Sequence, residues 1–469
     1  MRVSYGTVLG LGTVASAADL KVIKYAETSG GYHSPARGWN SFGLQANDVG
    51  AGFSFDQDHV ITQCDLMAEK LKSSNYTYCS LDSGWSVGAN GDQYGRIIYD
   101  APKFDIPKLA EHLHSHGLEL GLYVVPGAFL ADLDKTIYGT NTKIQDVCSG
   151  DEGLARCIFN YTRPEVQQWH NSVVDQFAEW GTDFIKLDFI TPGSPDNGQN
   201  LPPDQSAAVP AWREAIRQSG RPMRLDISWK LDRTPKYFNI WNDNSESMRV
   251  DQDINNGGES TFIRWATVQR AIDNYRQWIV AALDIFDELN VYPDLDNLYA
   301  GNAASITGVS DTQRRTIMTH WIAAGANLIT GSDLARIDDL GMELLTNKDA
   351  LAVADFTAKF PMQPRNPGTG NKDSKQLQAW IAGPSSCNRA VVVIANYGPD
   401  QGQGGFGSKT PGKQTVKVSW TDLGLDVNKD YNAKNVWAGM NQDISSGGIE
   451  VELDEGESVL LWVTPKEKM

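Results

Sequence analysis

Short apolar runs alternate with longer segments of helical periodicity from about residue 35 to residue 350. This alternation is typical of repeated β/α units, whose strands form a parallel sheet. Eight runs are candidate strands, and they lie near Ala36–Ser41, Tyr76–Asp82, Leu118–Val125, Phe184–Phe189, Met223–Ser228, Met248–Asp253, Asn290–Asp296 and Asn327–Asp333. Eight units predict an α/β fold with a closed (β/α)8 TIM barrel, and an open doubly wound sheet is the alternative.

The segments between these runs fit crossover helices. Residues 57–71 and 163–180 repeat apolar positions every three or four residues, and Pro164 suits a first helical turn. Glycines that follow a helical segment and precede a strand provide left-handed helix caps, and they occur at Gly117, Gly181 and Gly220.

The pattern changes near residue 350. Five short strand-like runs, separated by turns rich in Gly, Pro and Asn, lie at residues 377–381, 390–394, 414–418, 449–453 and 458–463. We therefore predict a barrel domain at residues 18–350, a linker at 351–374 and a C-terminal antiparallel β-sandwich at 375–469. The glycine-rich stretch 398–405 has no strand-to-helix transition around it and is predicted to be a surface loop.

The first residues are typical of a secretory signal. A mostly apolar stretch from Val3 to Val14 precedes small residues at Ala15 and Ala17, which predicts a signal peptide at residues 1–17. Secretion would place the protein in the extracellular medium, where disulfides persist.

Five cysteines leave at least one outside any internal pairing. Cys148 and Cys157 enclose a short loop and are the favoured bridge, while Cys64 with Cys79 is a second candidate. Two tripeptides match the N-glycosylation acceptor pattern, Asn75-Tyr76-Thr77 and Asn160-Tyr161-Thr162.

Acidic residues outnumber basic ones by 58 to 41, which gives a net charge of −17. This charge repels phosphate backbones and anionic lipid, and no cluster of Lys or Arg offsets it locally. No window approaches the roughly 18 continuous apolar residues that a membrane-spanning helix needs. We therefore expect neither nucleic acid nor membrane as a partner.

Aspartates stand at the C-terminal ends of several predicted strands, at Asp82, Asp188, Asp253, Asp296 and Asp333. In a (β/α)8 barrel those ends form the active site. Unpaired buried carboxylates are too unfavourable to serve stability, so convergence on one pocket is the simpler interpretation. For any single aspartate, a helix cap or an ion pair is an equal alternative.

Two carboxylates that flank an anomeric carbon can hydrolyse a glycosidic bond, one as nucleophile and the other as acid and then base. Asp188 and Asp253 are the predicted pair. Lys186 shares a strand face with Asp188 and would keep it ionised. Asp251 shares the predicted face of Asp253 and is its main competitor.

Ordered motifs surround these residues: Gly38-Trp39-Asn40-Ser41, Leu81-Asp82, Gly121-Leu122-Tyr123, Lys186-Leu187-Asp188, Arg249 to Asp253-Ile254, Pro293-Asp294-Leu295-Asp296 and Val436-Trp437-Ala438-Gly439. Together they resemble glycoside hydrolase family 27, the family of α-galactosidases and α-N-acetylgalactosaminidases. The resemblance covers about residues 35–466. It implies a retaining, exo-acting mechanism with Asp188 as nucleophile and Asp253 as acid/base.

The resemblance also implies the sugar contacts, which are Asp82, Tyr123, Lys186, Arg249 and Asp296. Strand-end aromatic residues are candidate sugar platforms, at Trp39, Trp85 and Trp229.

The sequence departs from the family at positions that read the sugar. The usual Asp-Asp-Cys-Trp is Asp82-Ser83-Gly84-Trp85, and the usual Cys-Glu-Trp is Ile227-Ser228-Trp229, where Ser228 leaves room at the 2-position. The second Trp of the first motif is replaced by Phe42.

These observations predict a secreted hydrolase of terminal α-galactosides in oligo- or polysaccharides. The alternatives are α-N-acetylgalactosaminidase, β-L-arabinopyranosidase or isomaltodextranase-like activity on the same fold, and a catalytically silent sugar-binding protein. No cofactor is expected, since hydrolysis needs none and no nucleotide fingerprint occurs. A complete metal site is not expected either, because His114 points away from His112 and His116 on a helix.

Overall fold

Eight short parallel strands form the central sheet of the protein. The structure is a computed structural model, and it describes residues 19–47, 53–193, 201–442, 444–445 and 447–466. The predicted signal peptide, residues 1–17, lies outside the described residues. The strands are Arg37–Asn40, Tyr78–Leu81, Glu119–Val124, Thr182–Leu187, Arg224–Ile227, Ser247–Arg249, Tyr292–Asp294 and Leu328–Thr330. They coincide with the eight predicted runs.

Each strand pairs with its neighbours in chain order, and the eighth pairs with the first. The amide of Asn327 donates to the carbonyl of Pro293 at 3.2 Å, and a parallel bridge joins Leu298 to Thr330, so the seventh and eighth strands also meet. The predicted closed barrel is confirmed.

Strands of this barrel are covered on both faces. Every residue of Tyr78–Leu81 and of Arg224–Ile227 is buried, so neither strand has a face exposed to solvent. Inside the barrel, Phe184 packs on Tyr78 with ring centroids 5.4 Å apart, and the two form a small interior cluster with Ala36 and Ile329.

The principal helices of the barrel domain are Gln57–Lys70, Ile106–Ser115, Pro164–Trp180, Ala208–Ser219, Pro235–Asn244, Trp265–Ile285, Asp311–Ala324, Asp339–Thr346 and Lys348–Thr357. Shorter helical turns lie at Phe42–Ala46 and Ala304–Thr307. Gly181 ends its helix at φ +86°, a left-handed conformation that strains any residue with a Cβ atom. Gly117 and Gly220 adopt the same conformation, as predicted.

Both candidate disulfides are present, Cys64–Cys79 and Cys148–Cys157, and Cys387 is free and exposed. The second bridge closes a hairpin of Cys148–Asp151 with Cys157–Phe159. A further small parallel pair joins Lys24–Tyr25 to Glu288–Leu289.

The C-terminal region forms two antiparallel sheets around a core of its own. One sheet has the order Gln363–Pro364, Leu377–Ala382, Ala390–Asn396, Glu457–Pro465 and Tyr431–Asn435, and the other has Gln414–Ser419, Gly448–Leu453 and Ile444–Ser445. The β-sandwich is therefore confirmed. The stretch 398–405 lies in the loop between Ala390–Asn396 and Gln414–Ser419.

Residues 351–374 differ from the predicted linker. They contain most of the helix Lys348–Thr357 and the edge strand Gln363–Pro364 of the sandwich. Apolar burial fixes this segment, because Val353 and Met362 lie in the core that the two domains share. His320 of the barrel also contacts the Tyr397 hydroxyl of the sandwich at 2.8 Å. Among the described helices, none is long and apolar enough to cross a membrane.

Candidate active site

Five charged side chains come together at the C-terminal mouth of the barrel, and they are Asp82, Lys186, Asp188, Arg249 and Asp296. The four other than Lys186 are buried, and the Lys186 side chain is 15% exposed. They come from four different strands, since Lys186 and Asp188 belong to the same one, and only barrel closure brings these strands together.

Asp188 follows the strand Thr182–Leu187, and its amide donates to the Val124 carbonyl at 2.9 Å. Burial raises the pKa of Asp188 above its ordinary value, the positive charge of Lys186 lowers it, and the carboxylate of Asp253 raises it further. Lys186 and Asp253 therefore act in opposite directions on the same carboxyl group.

The Lys186 ammonium donates to Asp82 Oδ2 at 2.8 Å. Burial alone would lower the pKa of Lys186, but the carboxylates of Asp82 and Asp188 outweigh it and raise the pKa above its usual range. Lys186 is thus a fixed cation between two carboxylates. Its ammonium also lies 5.5 Å from the ring centre of Tyr123 and 5.7 Å from that of Phe42.

Asp253 is bound to Arg249, whose Nη2 donates to the Asp253 Oδ1 at 2.9 Å. Arg249 is buried, and its Nη1 lies 3.5 Å from Asp296 Oδ1. The Asp253 side chain is 28% exposed, whereas Asp188 is 7% exposed as a residue. The two carboxyl groups of the predicted catalytic pair therefore differ in their exposure to solvent and in the cation that lies beside each of them.

Asp296 adopts a left-handed backbone conformation at φ +75°. Its two carboxylate oxygens accept from the amides of Ile254 and Asn297, each at 2.7 Å. Burial raises the pKa of Asp296 to about 6 despite the opposing charge of Arg249. Since Ile254 follows Asp253 directly, Asp296 also fixes the backbone beside the acid/base candidate.

A buried carboxyl pair beneath the site was not among the predicted site residues. Burial, together with Asp294, raises the pKa of Asp226 well above its ordinary value. The hydroxyl of Ser247 donates to Asp226 Oδ1 at 2.5 Å, and Asp294 accepts from the amide of Asp296 at 2.8 Å. Asp294 is the last residue of its strand, and the two aspartates separated by one residue, Asp294-Leu295-Asp296, are the sequence signal that could have found it.

Two of the three candidate aromatic platforms are inaccessible. Trp39 is 0% exposed and its indole donates to the Ser332 carbonyl at 3.0 Å, which contradicts its predicted contact with sugar. Trp85 is equally buried, against Phe177. Both rings fill the core around the strand ends, where apolar burial is more favourable than exposure at the mouth.

Phe42 and Phe189 are partly exposed aromatic residues at these strand ends. Phe42 is the ring beside Lys186, and the motif position that lost its second Trp was the signal for it. Phe189 stacks on Trp229, with ring centroids 5.4 Å apart and planes at 28°. Trp229 therefore remains a candidate sugar platform, and Phe189 is an aromatic partner that was not predicted.

The two serines that replace family carboxylates differ in position. Ser228 is 1% exposed, and its hydroxyl lies beside Asp188, whose pKa it lowers. Ser83 is exposed, and its carbonyl accepts from Gln45 Nε2 at 2.7 Å. Ser228 therefore belongs to the interior of the site and Ser83 to its edge.

Two strand-end aspartates lie outside the cluster. Asp251 accepts from Arg270 Nε at 2.8 Å and from Asn274 Nδ2 at 2.9 Å. The strand ends at Arg249, so the alternation that paired Asp251 with Asp253 does not apply. Asp333 caps the following turn through the Ala335 amide at 3.0 Å. Both have the structural role that was the alternative for each aspartate.

Comparisons with known proteins identify the family of the chain. Residues 133–355 match the family described as "Alpha galactosidase A", and residues 374–463 match "Alpha galactosidase C-terminal beta sandwich domain". The chain is 48% identical over 453 residues to "Alpha-galactosidase 3" of Hypocrea jecorina, covering 94% of this chain and 72% of that protein. It is 26% identical to an alpha-galactosidase of Cyamopsis tetragonoloba, covering 97% and 92%.

A solved structure of a GH27 β-L-arabinopyranosidase from Geobacillus stearothermophilus superposes with a TM-score of 0.75. The two share 21% sequence identity over 93% of this chain and 98% of the other, so this comparison shows a common fold. With the 48% identical relative and the two family matches, it leads to one conclusion: the chain is a glycoside hydrolase and belongs to glycoside hydrolase family 27.

Proposed function

We propose that the chain is a retaining exo-glycosidase that removes terminal α-linked galactose, with Asp188 as nucleophile and Asp253 as acid and base. The observation that carries the proposal is the asymmetry of the two carboxyl groups. Asp188 is buried next to a fixed cation, and Asp253 is partly open to solvent on Arg249. Relatives that are named alpha-galactosidases support galactose as the sugar.

In the first step an Asp188 oxygen attacks the anomeric carbon while the bond to the leaving oxygen breaks. Asp253 gives its proton to that oxygen, so the alcohol leaves neutral. Lys186 favours the ionised form of Asp188 that this attack requires, because its charge lowers the pKa of that group.

In the second step a water molecule gives a proton to Asp253 and its oxygen attacks the anomeric carbon. The bond to Asp188 breaks, and Asp188 leaves as a carboxylate. Two inversions at one carbon retain the configuration. The partial exposure of Asp253 suits this step, since the water must reach it from solvent.

Sugar recognition would use Asp82, Tyr123, Lys186, Arg249, Asp296 and Trp229. With serine at position 83, Asp82 is the one carboxylate of its motif, and a charged hydrogen bond contributes about 1.5–3 kcal/mol. We therefore expect weaker discrimination between α-galactosides and β-L-arabinopyranosides, which lack the 6-hydroxyl group, than a second carboxylate would give. Ser228 leaves room at the 2-position for an N-acetyl group.

A panel of chromogenic α-galactoside, β-L-arabinopyranoside, α-N-acetylgalactosaminide and α-glucoside tests this proposal through kcat/KM ratios. The highest kcat/KM is expected on the α-galactoside. Ser83→Asp should raise the ratio of kcat/KM on the α-galactoside to kcat/KM on the β-L-arabinopyranoside about tenfold or more. A higher kcat/KM on any other glycoside would reject galactose as the preferred sugar. An unchanged ratio in Ser83→Asp would reject the role of position 83.

We also propose that the protein is secreted. The two disulfides support this, because such bridges persist in oxidising compartments. Recovery of the native protein from culture medium, cleaved after Ala17, is the expected result, and retention of an uncleaved chain inside the cell would contradict it.

A further inference from the structure

We propose that Asp65, His112 and His116 form a binding site for Zn²⁺ on the outer surface of the barrel, where it would link two neighbouring helices. The three residues take no part in the proposed hydrolysis. Asp65 lies in the helix Gln57–Lys70, and His112 lies in the helix Ile106–Ser115, which His116 caps.

The three side chains already converge. His112 and His116 are four residues apart, which puts them on one helix face, and their ring centroids are 4.5 Å apart. His112 Nε2 lies 2.7 Å from Asp65 Oδ1. One ligand atom from each residue lies within 4.8 Å of the other two. Ligands of a tetrahedral Zn²⁺ ion are about 3.3 Å apart, given bonds of about 2.0 Å, so small side-chain rotations suffice.

The hydrogen bonding of His116 prepares it as a ligand. Its Nδ1 lies 2.9 Å from the His112 carbonyl oxygen, which can only accept, so Nδ1 carries the hydrogen. The lone pair of the neutral ring is then on Nε2. Metal-binding histidines are commonly held in this way, by a carbonyl or carboxylate on the nitrogen that does not bind the metal.

The donor set selects the cation. Two imidazole nitrogens and one carboxylate suit Zn²⁺, whereas Ca²⁺ and Mg²⁺ prefer oxygen ligands. Three protein ligands leave the fourth position to water. The side chains of His112 and Asp65 are 30% and 43% exposed, so the ion can enter from solvent. Sequence spacing showed only the histidine pair, because the third ligand comes from another helix.

His114 provides a matched control within the same helix. Its Nε2 contacts Asp183 Oδ2 at 2.8 Å, on a different face from the proposed site. Lys72 is the cation that contacts this helix end, and its ammonium binds the backbone carbonyl of His116 at 2.5 Å. Replacement of the exposed His116 side chain by alanine leaves that backbone contact available.

Binding would stabilise the folded state, because Zn²⁺ joins the two helices only when both are in place. Other contacts that hold the helix Gln57–Lys70 on the barrel include the Cys64–Cys79 disulfide and Gln63, which donates to Asp333 Oδ1 at 3.0 Å. Asp65 and His112 already connect this helix to the next one in the ring, and the proposed ion would add His116 to that connection.

Calorimetric titration of ZnCl₂ into tag-free, chelator-treated enzyme near neutral pH tests the site, with thermal unfolding measured in parallel. We expect one Zn²⁺ per chain in the wild type and in His114→Ala, with a rise in Tm of about 2 °C or more. His116→Ala and Asp65→Asn should each weaken binding at least about tenfold and reduce that rise. Millimolar Mg²⁺ should not compete.

Two outcomes would overturn the proposal: no Zn²⁺ binding by the wild type, or binding by His116→Ala that equals binding by His114→Ala. Hydrolysis by His116→Ala should remain at the wild-type level, so this experiment fails or succeeds independently of the proposed catalytic roles.

Discussion

The mouth of the barrel carries two sets of aspartates that follow strands in the same way but have different partners. The inner aspartates, Asp82, Asp188, Asp253 and Asp296, share the cations Lys186 and Arg249, and the charges of Asp253 and Asp82 raise the pKa of Asp188. The outer aspartates, Asp251 and Asp333, are fully engaged by Arg270, Asn274, Arg336 and backbone amides. A strand-end position therefore does not define function. What distinguishes the inner set is that its carboxylates face each other across cations.

The largest expected effect is that of Asp188→Asn. An amide cannot attack the anomeric carbon, so kcat/KM should fall by about 10⁴-fold or more on every substrate. Thermal unfolding is the control, and Tm should not fall, because burial already disfavours the charge at this position. A folded variant with near wild-type turnover would show that Asp188 is not the nucleophile.

The next effect compares Asp253 with Asp251. Asp253→Ala should lower kcat by about 10² to 10⁴-fold for poor leaving groups and less for activated ones, with partial rescue by azide. Asp251→Asn keeps the size of the side chain, which binds Arg270 and Asn274 and not the substrate. Its kcat should therefore change less than about tenfold, and azide should not increase it. Azide rescue of Asp251→Asn alone would exchange the two roles.

Lys186→Met is expected to move the acidic limb of the kcat/KM profile. In the wild type the Lys186 charge lowers a pKa of Asp188 that burial has raised. The nucleophile loses activity as the pH falls through that pKa, so removal of the cation raises the pKa and shifts the limb to higher pH by about one unit. The variant also loses the contacts of Lys186 with the sugar, but that loss lowers kcat/KM equally at every pH and does not move the limb. An unmoved limb would show that Lys186 serves binding only.

The smallest effect belongs to the outer set. Asp333→Asn weakens a turn cap and the contacts with Gln63 and Arg336. The free energy of unfolding should fall by about 1–2 kcal/mol, while kcat/KM stays within about threefold of the wild type. Chemical denaturation and kinetics on one preparation check both parts. A large loss of kcat/KM without loss of stability would place Asp333 in the inner set.

The fold was predictable because buried parallel strands leave continuous apolar runs in the sequence. The strands of the sandwich that were not predicted lack this signal: Gln363–Pro364 and Ile444–Ser445 have two residues each, and Tyr431–Asn435 is mostly polar. Short or polar segments become strands through pairing with neighbours that are distant in sequence.

At the site, strand-end position and motif order predicted the inner aspartates, Lys186 and Arg249. The direction in which each side chain points could not be predicted. Trp39 and Trp229 both end strands, yet the Trp39 indole enters the core and Trp229 stacks at the mouth. Asp251 likewise accepts hydrogen bonds from Arg270 and Asn274 of a later helix and takes no part in the cluster. Partners of this kind are visible only in three dimensions.

The central claim is that Asp188 forms a covalent bond to the sugar while Asp253 does not. Asp253→Ala, mixed with an activated α-galactoside and quenched with acid, should accumulate a glycosyl-enzyme because its second step lacks a base. Mass spectrometry of the digested protein should then find one hexosyl group on the peptide that contains Asp188. A hexosyl group on another carboxylate, or turnover with inverted configuration and no covalent adduct, would contradict the account.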